Sequence, residues 1–304
     1  MVIAQKAPRR GRFSPGQLAL TLVMAIYTLF CLLPLVLVVV VSFSSKESVE
    51  TIGCSFRPLS LSLEGYRYVL SYGSQLVSSY LVTIFVTVVG TALGLLLMSM
   101  YAYALSKKDF RLRGFLSVFI VVPMLFSGGQ LATYMVYTSV YHLKDSLWVL
   151  ILPMTVTAMN IVILRTYIQS SIPESLSEAA LIDGAGEYRI LFGIILPLMK
   201  PALAAVGFMM ATTYWNDWYN GLLYISSSDR TPLQLLLVRI QNNLNFILQT
   251  AKLTGSKLAD AQKNIPQLPA TMAVVVTVIG PIILAYPFFQ KYLVKGLTVG
   301  SVKG

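Results

Sequence analysis

Residues able to make or break covalent bonds are few in this chain of 304 residues. His142 is its only histidine, and no cluster of carboxylates or thiols lies beside it, so it reads as a solvated loop residue rather than a metal ligand or general base. Cys31 falls in an apolar segment and Cys54 in the loop after it; they are not expected to pair and say nothing of redox compartment. Neither a G-x-S-x-G elbow nor a G-x-x-x-x-G-K-[ST] phosphate loop occurs. No catalytic residue, metal ligand or bound cofactor is therefore expected on this chain. What its residue types offer is recognition chemistry, in three places.

The first place is residues 171–201, SIPESLSEAALIDGAGEYRILFGIILPLMKP, which holds four of the twelve acidic residues: Glu174, Glu178, Asp183 and Glu187. The second is YWNDWYN, 214–220. There the flat faces of Trp215 and Trp218 beside Asn216, Asp217 and Asn220 suit a sugar, with its apolar ring faces and hydroxyl edge. An aromatic belt at a membrane interface accounts for the same aromatics. It accounts less well for Asp217, since a carboxylate at membrane depth is costly unless it faces a cavity or a partner. The third is Ser127, Gly128, Gly129 and Gln130, a poor surface to set against lipid. Irregular backbone at depth is tolerated only against protein or water, so this stretch is expected to bend or to face a polar path.

Short helices must position the four carboxylates. Pro173 suits a first helical turn, where its missing N–H costs nothing. Leu176, Ala179 and Ala180 recur at i, i+3 and i+4, which marks one apolar stripe. Gly184 falls where that helix should stop, because glycine tolerates the left-handed conformation of a C-terminal cap. A second helical run, Tyr188 to Leu196, is expected to end at Pro197. Two short helices at a glycine corner, polar outside and apolar on one face, have the shape to dock in a groove on a soluble partner.

The rest of the chain is built for a bilayer. It is 56% hydrophobic and 12% charged, with a mean hydropathy of +0.72, and its long uncharged runs mark an all-α polytopic membrane protein. Six segments, near 17–42, 76–105, 114–137, 146–168, 198–224 and 269–290, are each long enough to cross about 30 Å of hydrocarbon as a helix. The basic start, Lys6, Arg9, Arg10 and Arg12, leads into an apolar run long enough to span and is read as an orientation signal, not a cleaved leader. Fourteen Lys and Arg fall on the side of the N-terminus and nine on the other, so both termini and the carboxylate-bearing loop are expected to be cytoplasmic. That placement, rather than nucleic acid, accounts for the net charge of +11.

The expected organisation is a cytoplasmic tail 1–16, a six-helix domain 17–290 with loop 171–197 and outer loop 225–268, and a cytoplasmic tail 291–304. Gly90 and Gly94, with Thr83, Thr87 and Thr91 nearby, are small residues spaced for close helix packing. Leu233, Leu235, Leu236 and Leu237 are expected to form a short segment lying on the membrane. Scarce charge within the spans speaks against an ion-coupled carrier.

The spacing around Glu178 goes further. Glu178-Ala179-Ala180, then Gly184, then Ile194-x-Leu196-Pro197 satisfies E-A-A-x3-G-x9-I-x-L-P at every defined position and resembles the EAA loop of ABC importer permeases. The W-N-[DE] in the fifth span and the tail KGLTVGSVKG, 295–304, are similar to sugar-importer permeases of the maltose type, and the resemblance covers nearly the whole chain. FSGG followed closely by a Tyr resembles a subfamily of carbohydrate importer permeases from Gram-positive bacteria.

The resemblance implies a type I ABC importer permease fold with a cytoplasmic coupling helix, in a bacterial cytoplasmic membrane. It implies a second homologous permease subunit, two ABC ATPase subunits that carry ATP and Mg, and an extracellular solute-binding lipoprotein. Glu178, Ala179, Ala180, Asp183, Gly184, Ile194, Leu196 and Pro197 would then couple to the ATPase, with Glu178 paired to a basic residue across the interface. Trp215, Asn216, Asp217, Trp218 and Asn220, with Ser127, Gly128 and Gly129, are candidates for the substrate path. The tail is expected to reach the ATPases, and loop 225–268 the binding protein. The alternatives are an ABC permease for a non-sugar solute and a secondary carrier working alone.

Overall fold

The computed structural model describes residues 15–254 and 266–300. The basic start, the centre of loop 225–268 and the last four residues of the tail lie outside the described residues. Helices dominate the described residues, among which the one β-bridge is an isolated antiparallel one between Ser44 and Leu61. The chain divides into two compact units.

One unit comprises residues up to Val69 together with Lys263–Val276. It holds α1 (Pro15–Ser42), α2 (Lys46–Ile52) and most of α3 (Glu64–Leu70). Ser45 caps α2 by accepting from Ser48 N at 3.1 Å. Tyr66 pins the end of α1 to α3, with its hydroxyl 2.9 Å from Ser42 Oγ and its ring 4.8 Å from that of Phe43. Gly65 lies so close to Pro269 that an added Cβ would come within 2.6 Å of that residue's carbonyl oxygen.

The other unit, Leu70–Gln262 with Thr277 onwards, is organised on α4 (Gly73–Ser106). Three bent helix pairs follow. α5 (Arg113–Leu125) turns by 118° into α6 (Gly129–Met135), which runs on through a π turn, Val136–Val140. α7 (Trp148–Thr155) meets α8 (Ala158–Ser171) at 50°. After α9 (Glu174–Ile182), α10 (Glu187–Ile190) continues through π-helical Leu191–Ile195 into α11 (Leu196–Leu198), which meets α12 (Lys200–Trp215) at 79°. α13 (Tyr219–Tyr224), α14 (Leu233–Thr254) and α15 (Gln267–Gly300) complete the order. By length and composition α1, α4 and the Gln267–Leu284 part of α15 qualify as single spans; counting each bent pair as one broken span gives up to six among the described residues.

Each break has a local cause. Gly129 at φ +77° takes the left-handed conformation that a continuing helix forbids, so Ser127-Gly128-Gly129 bends as expected. At the second break Val156 and Thr157 are extended, three residues beyond Pro153. The run from α10 through α11 ends at Leu198, one residue past Pro197, so the proline lies in its last turn rather than just beyond it. It lies inside α11, and the π turn upstream contains Gly193, whose carbonyl is the one its ring would otherwise strike. The fifth span is likewise not one helix over 198–224. Asn216 Nδ2 donates back to Thr212 O at 2.8 Å, and Asp217 Oδ1 accepts from Asn220 N at 3.1 Å, so side chains close α12 and start α13.

α4 packs against α12, α8 and α7. Gly90 and Gly94 make that approach possible: a Cβ at Gly90 would meet the Tyr214 ring at 2.5 Å, and one at Gly94 would sit 2.6 Å from Thr155 O. Leu233, Leu235, Leu236 and Leu237 do not lie on a membrane surface. All four are buried, and α14 starts where Leu233 N donates to Thr83 Oγ1 of α4 at 2.8 Å. A run of leucines satisfies lipid and protein core equally, and this backbone contact places it in the core.

Candidate functional site

The loop predicted to dock does form a helix–corner–helix. Pro173 is extended at the cap position (φ −60°, ψ 130°) rather than within the first turn, and α9 begins at Glu174. Its end is a Schellman motif: Ala185 N donates to Ala180 O at 2.9 Å, Gly184 N to Leu181 O at 3.0 Å, and Gly184 sits at φ +76°. Glycine is required there by conformation and not by space, since nothing lies within 4 Å of an added Cβ.

Inward anchorage comes from Ser177, Ile190, Leu191 and Ile195, all buried, with Ala180 packed on the core beside them. The surface turned outward is mixed: Leu176, Leu181, Tyr188 and Phe192 are exposed beside Glu178 and Asp183, and Ile182 retains 87% of its surface. So large an exposed isoleucine is a knob without a hole among the described residues. Of the predicted coupling residues, Glu178, Ala179, Asp183, Gly184 and Pro197 are exposed, while Ile194 and Leu196 are half-buried at the root of the segment.

The segment is also stitched sideways. Lys108 Nζ donates to Glu174 Oε2 at 2.7 Å, Lys107 Nζ lies 3.6 Å from Glu187 Oε2, and Tyr103 Oη donates to the same oxygen at 2.5 Å. The Lys108 hydrogen bond holds the Glu174 carboxyl below the usual carboxylate range and lifts the ammonium above its own. A cleft of about 580 Å³ lies beside this contact, and Glu178 and Asp109 also line it. The carboxylates stand out in the sequence, whereas their pairing with Lys107, Lys108 and Tyr103 does not. The signal was present: the short loop 106–113 has four basic residues against one Asp109.

The aromatic–amide stretch has a different geometry from the one expected. Trp215 is buried, with Nε1 donating to Val278 O at 3.2 Å, and it lines an apolar cavity of about 430 Å³ between α4, α12 and α15. Asp217 is satisfied within its own corner by Asn220 N and by Asn220 Nδ2, at 2.9 Å. Asn216 is exposed and accepts from Gln234 Nε2 at 3.2 Å; Trp218 is exposed and packs edge-on to Tyr219. Ser127, Gly128 and Gly129 are exposed at their bend. The tie between α6 and α13 runs instead through tyrosines, Tyr134 stacking on Tyr224 at 5.5 Å and Tyr137 meeting it edge-on at 6.1 Å.

A further knot was invisible in the sequence. Asp145, in the left-handed region at φ 57°, accepts at Oδ1 from Ser227 N, Ser226 N and Ser227 Oγ, each at 3.0 Å. Arg230 lies 3.5 Å from its other oxygen. Those donors, the Ser227 N–H foremost, hold its carboxyl below the usual range. His142 is exposed, and no group of residues able to hold a metal occurs among the described residues.

Comparison with known proteins gives a consistent picture. Residues 90–299 match the family described as "Binding-protein-dependent transport system inner membrane component". The chain is 39% identical to a polygalacturonan/rhamnogalacturonan transport system permease protein of Bacillus subtilis, over 91% of this chain and 94% of that one. It is 30% identical to an arabinooligosaccharides transport system permease protein of Halalkalibacterium halodurans, over 94% and 96% respectively. Among solved structures, a chain of a bacterial ABC transporter involved in the import of the acidic polysaccharide alginate superposes with a TM-score of 0.79. It is 28% identical, with 93% of this chain and 99% of that one covered.

Proposed function

The chain belongs to the family of binding-protein-dependent transport system inner membrane components, and on that premise we propose that it is the permease subunit of an ABC importer for an oligosaccharide. The observation that carries the mechanism is the Schellman-capped helix α9, with Leu176, Leu181 and Ile182 exposed beside Glu178, on a chain with up to six candidate spans among its described residues. Such a surface is what a groove on an ATPase subunit would take. Lys and Arg placement supports a bilayer topology with both termini and α9 in the cytoplasm. ATP and Mg then belong to two ATPase subunits, and a second, homologous permease supplies the other coupling helix. Closure of the ATPases moves α9, and the spans rock between inward-open and outward-open as rigid bodies. An extracellular binding protein delivers the sugar.

In the docking segment Glu178 and Asp183 present charge to the partner, Ala179 and Ala180 allow close approach, and Gly184 sets the corner. Ile194, Leu196 and Pro197 root that corner in the bundle. On the substrate path the exposed Trp218 and Asn216 are suited to contact sugar, and Ser127, Gly128 and Gly129 offer exposed backbone at their bend. Trp215, Asp217 and Asn220 hold that surface in shape.

The test is purification of the tagged chain in mild detergent, then uptake by the recovered assembly in proteoliposomes. Recovery of a second six-span permease with an ABC ATPase, and uptake of galacturonan or alginate oligomers over neutral maltodextrins, is the expected result. A chain that purifies alone and transports without ATP would overturn the proposal in favour of a secondary carrier.

A further inference from the structure

Helix α9 is joined to its neighbours by short non-helical links. Upstream lies the extended Ile172–Pro173 link, and downstream lie Gly184 and Gly186, both with open space around them. Along the chain, a displacement of α9 reaches the rest of the protein only through these links. Two side ties cross them. Glu174, the first residue of α9, is held by Lys108; Glu187, the first residue of α10, is held by Lys107 and by the Tyr103 hydroxyl. All three groups stand on the last turn of α4 or within two residues of its end, and the Lys107 ammonium also lies 5.0 Å from the centre of the Tyr103 ring. Each carboxylate sits in the first turn of its helix, where the exposed backbone N–H groups favour negative charge. α4 is in turn the helix that packs on α7, α8 and α12.

We propose that Tyr103, Lys107 and Lys108 are positioning residues that clamp both arms of the docking segment to α4, so that displacement of α9 enters the bundle through α4 and not only through the chain. The proposal rests on reading 174–198 as the ATPase-docking segment. Each tie alone is a surface contact of small strength. Two ties that start from one helix end and hold both arms of the corner restrain rotation as well as translation, which neither does singly.

The experiment uses the complete transporter in proteoliposomes and measures uptake and ATP hydrolysis together. Lys107→Met with Lys108→Met is expected to leave assembly and binding-protein-stimulated hydrolysis in place. Uptake per ATP should drop about two- to thirty-fold, the range over which changes within a coupling network act. Lys107→Arg with Lys108→Arg should restore it, as should the exchange Lys108→Glu with Glu174→Lys relative to Lys108→Glu alone. Wild-type uptake per ATP in the double Met variant, or an exchange no better than the single reversal, overturns the clamp. Gly184→Val run in parallel separates the two readings. If it uncouples while the lysine variants do not, only the clamp fails; if it too is without effect, the docking reading fails and the clamp with it.

Discussion

Gly184 offers the sharpest test of the docking corner, because its requirement for glycine is purely conformational. The residue sits at φ +76° and an added Cβ meets nothing within 4 Å, so no clash complicates a substitution. A non-glycine L-residue held left-handed costs roughly 1–2 kcal/mol, with Asn at the low end and β-branched residues above Ala. Opposing that strain are the two cap bonds, Ala185 N to Ala180 O and Gly184 N to Leu181 O. At about 1.4 kcal/mol per factor of ten, Ala should reduce occupancy of the observed corner some five- to thirty-fold and Val further. Since the corner is exposed and the core contacts of Ile190 and Ile195 lie outside it, thermal stability should change little. In reconstituted transporter, uptake per ATP should therefore fall in the order Gly, Asn, Ala, Val, while basal hydrolysis persists. Normal uptake by Gly184→Val, or a loss for Gly184→Asn as deep as for Gly184→Val, would refute the conformational argument.

Other outcomes follow from particular contacts. Gly94→Ala should destabilise by about 1–3 kcal/mol, because its Cβ would sit 2.6 Å from a backbone oxygen of α7, whereas Gly114→Ala, in open space, should be neutral; thermal unfolding in detergent compares them. Asp217→Ala and Asn220→Ala should each weaken the start of α13, by about 0.5–2 kcal/mol, and less than additively together; additive losses would show that the two do not act as one cap. Trp218→Ala, at an exposed ring, should lower sugar uptake without lowering the melting temperature. Asp145 has a depressed value in the folded chain, so it binds a proton more readily when unfolded. Its stabilisation is present above the unfolded value of about 3.9 and is lost as pH falls through the folded one. Melting temperature should thus decline on acidification below about pH 4, and decline less in Asp145→Asn.

Much of this protein was determined by the sequence locally. Six apolar stretches of membrane length follow from composition alone, since hydrocarbon thickness imposes a length that hydropathy reveals. The corner at Gly184 was equally legible, because a helix stop is written in the residues that adopt it. A bend at Ser127-Gly128-Gly129 was one of two expectations, argued from the cost of setting that stretch against lipid. Windows of hydropathy, however, cannot register where a span breaks. The break at 156–157, and the close of α12 at Trp215, are set by individual hydrogen bonds and by proline, while the average apolarity continues across them.

What only the tertiary structure decided are matters of partnership. The leucines after Thr231 look the same whether they meet lipid or protein, and the bond from Leu233 N to Thr83, 150 residues away, resolves the choice. Asp217 is a costly charge with no partner identifiable from the sequence, and in the fold Asn220 donates to both of its oxygens. Lys108 meets Glu174 across 66 residues, and Tyr103 meets Glu187 across 84. Charge counts placed bases and acids in neighbouring loops, but which ammonium reaches which carboxylate depends on helix lengths and crossing positions fixed by packing, such as the approach of α4 to α12 at Gly90 and Gly94. Local propensity and hydropathy act over a turn or a span; pairing is decided by where the packed helices bring the chain.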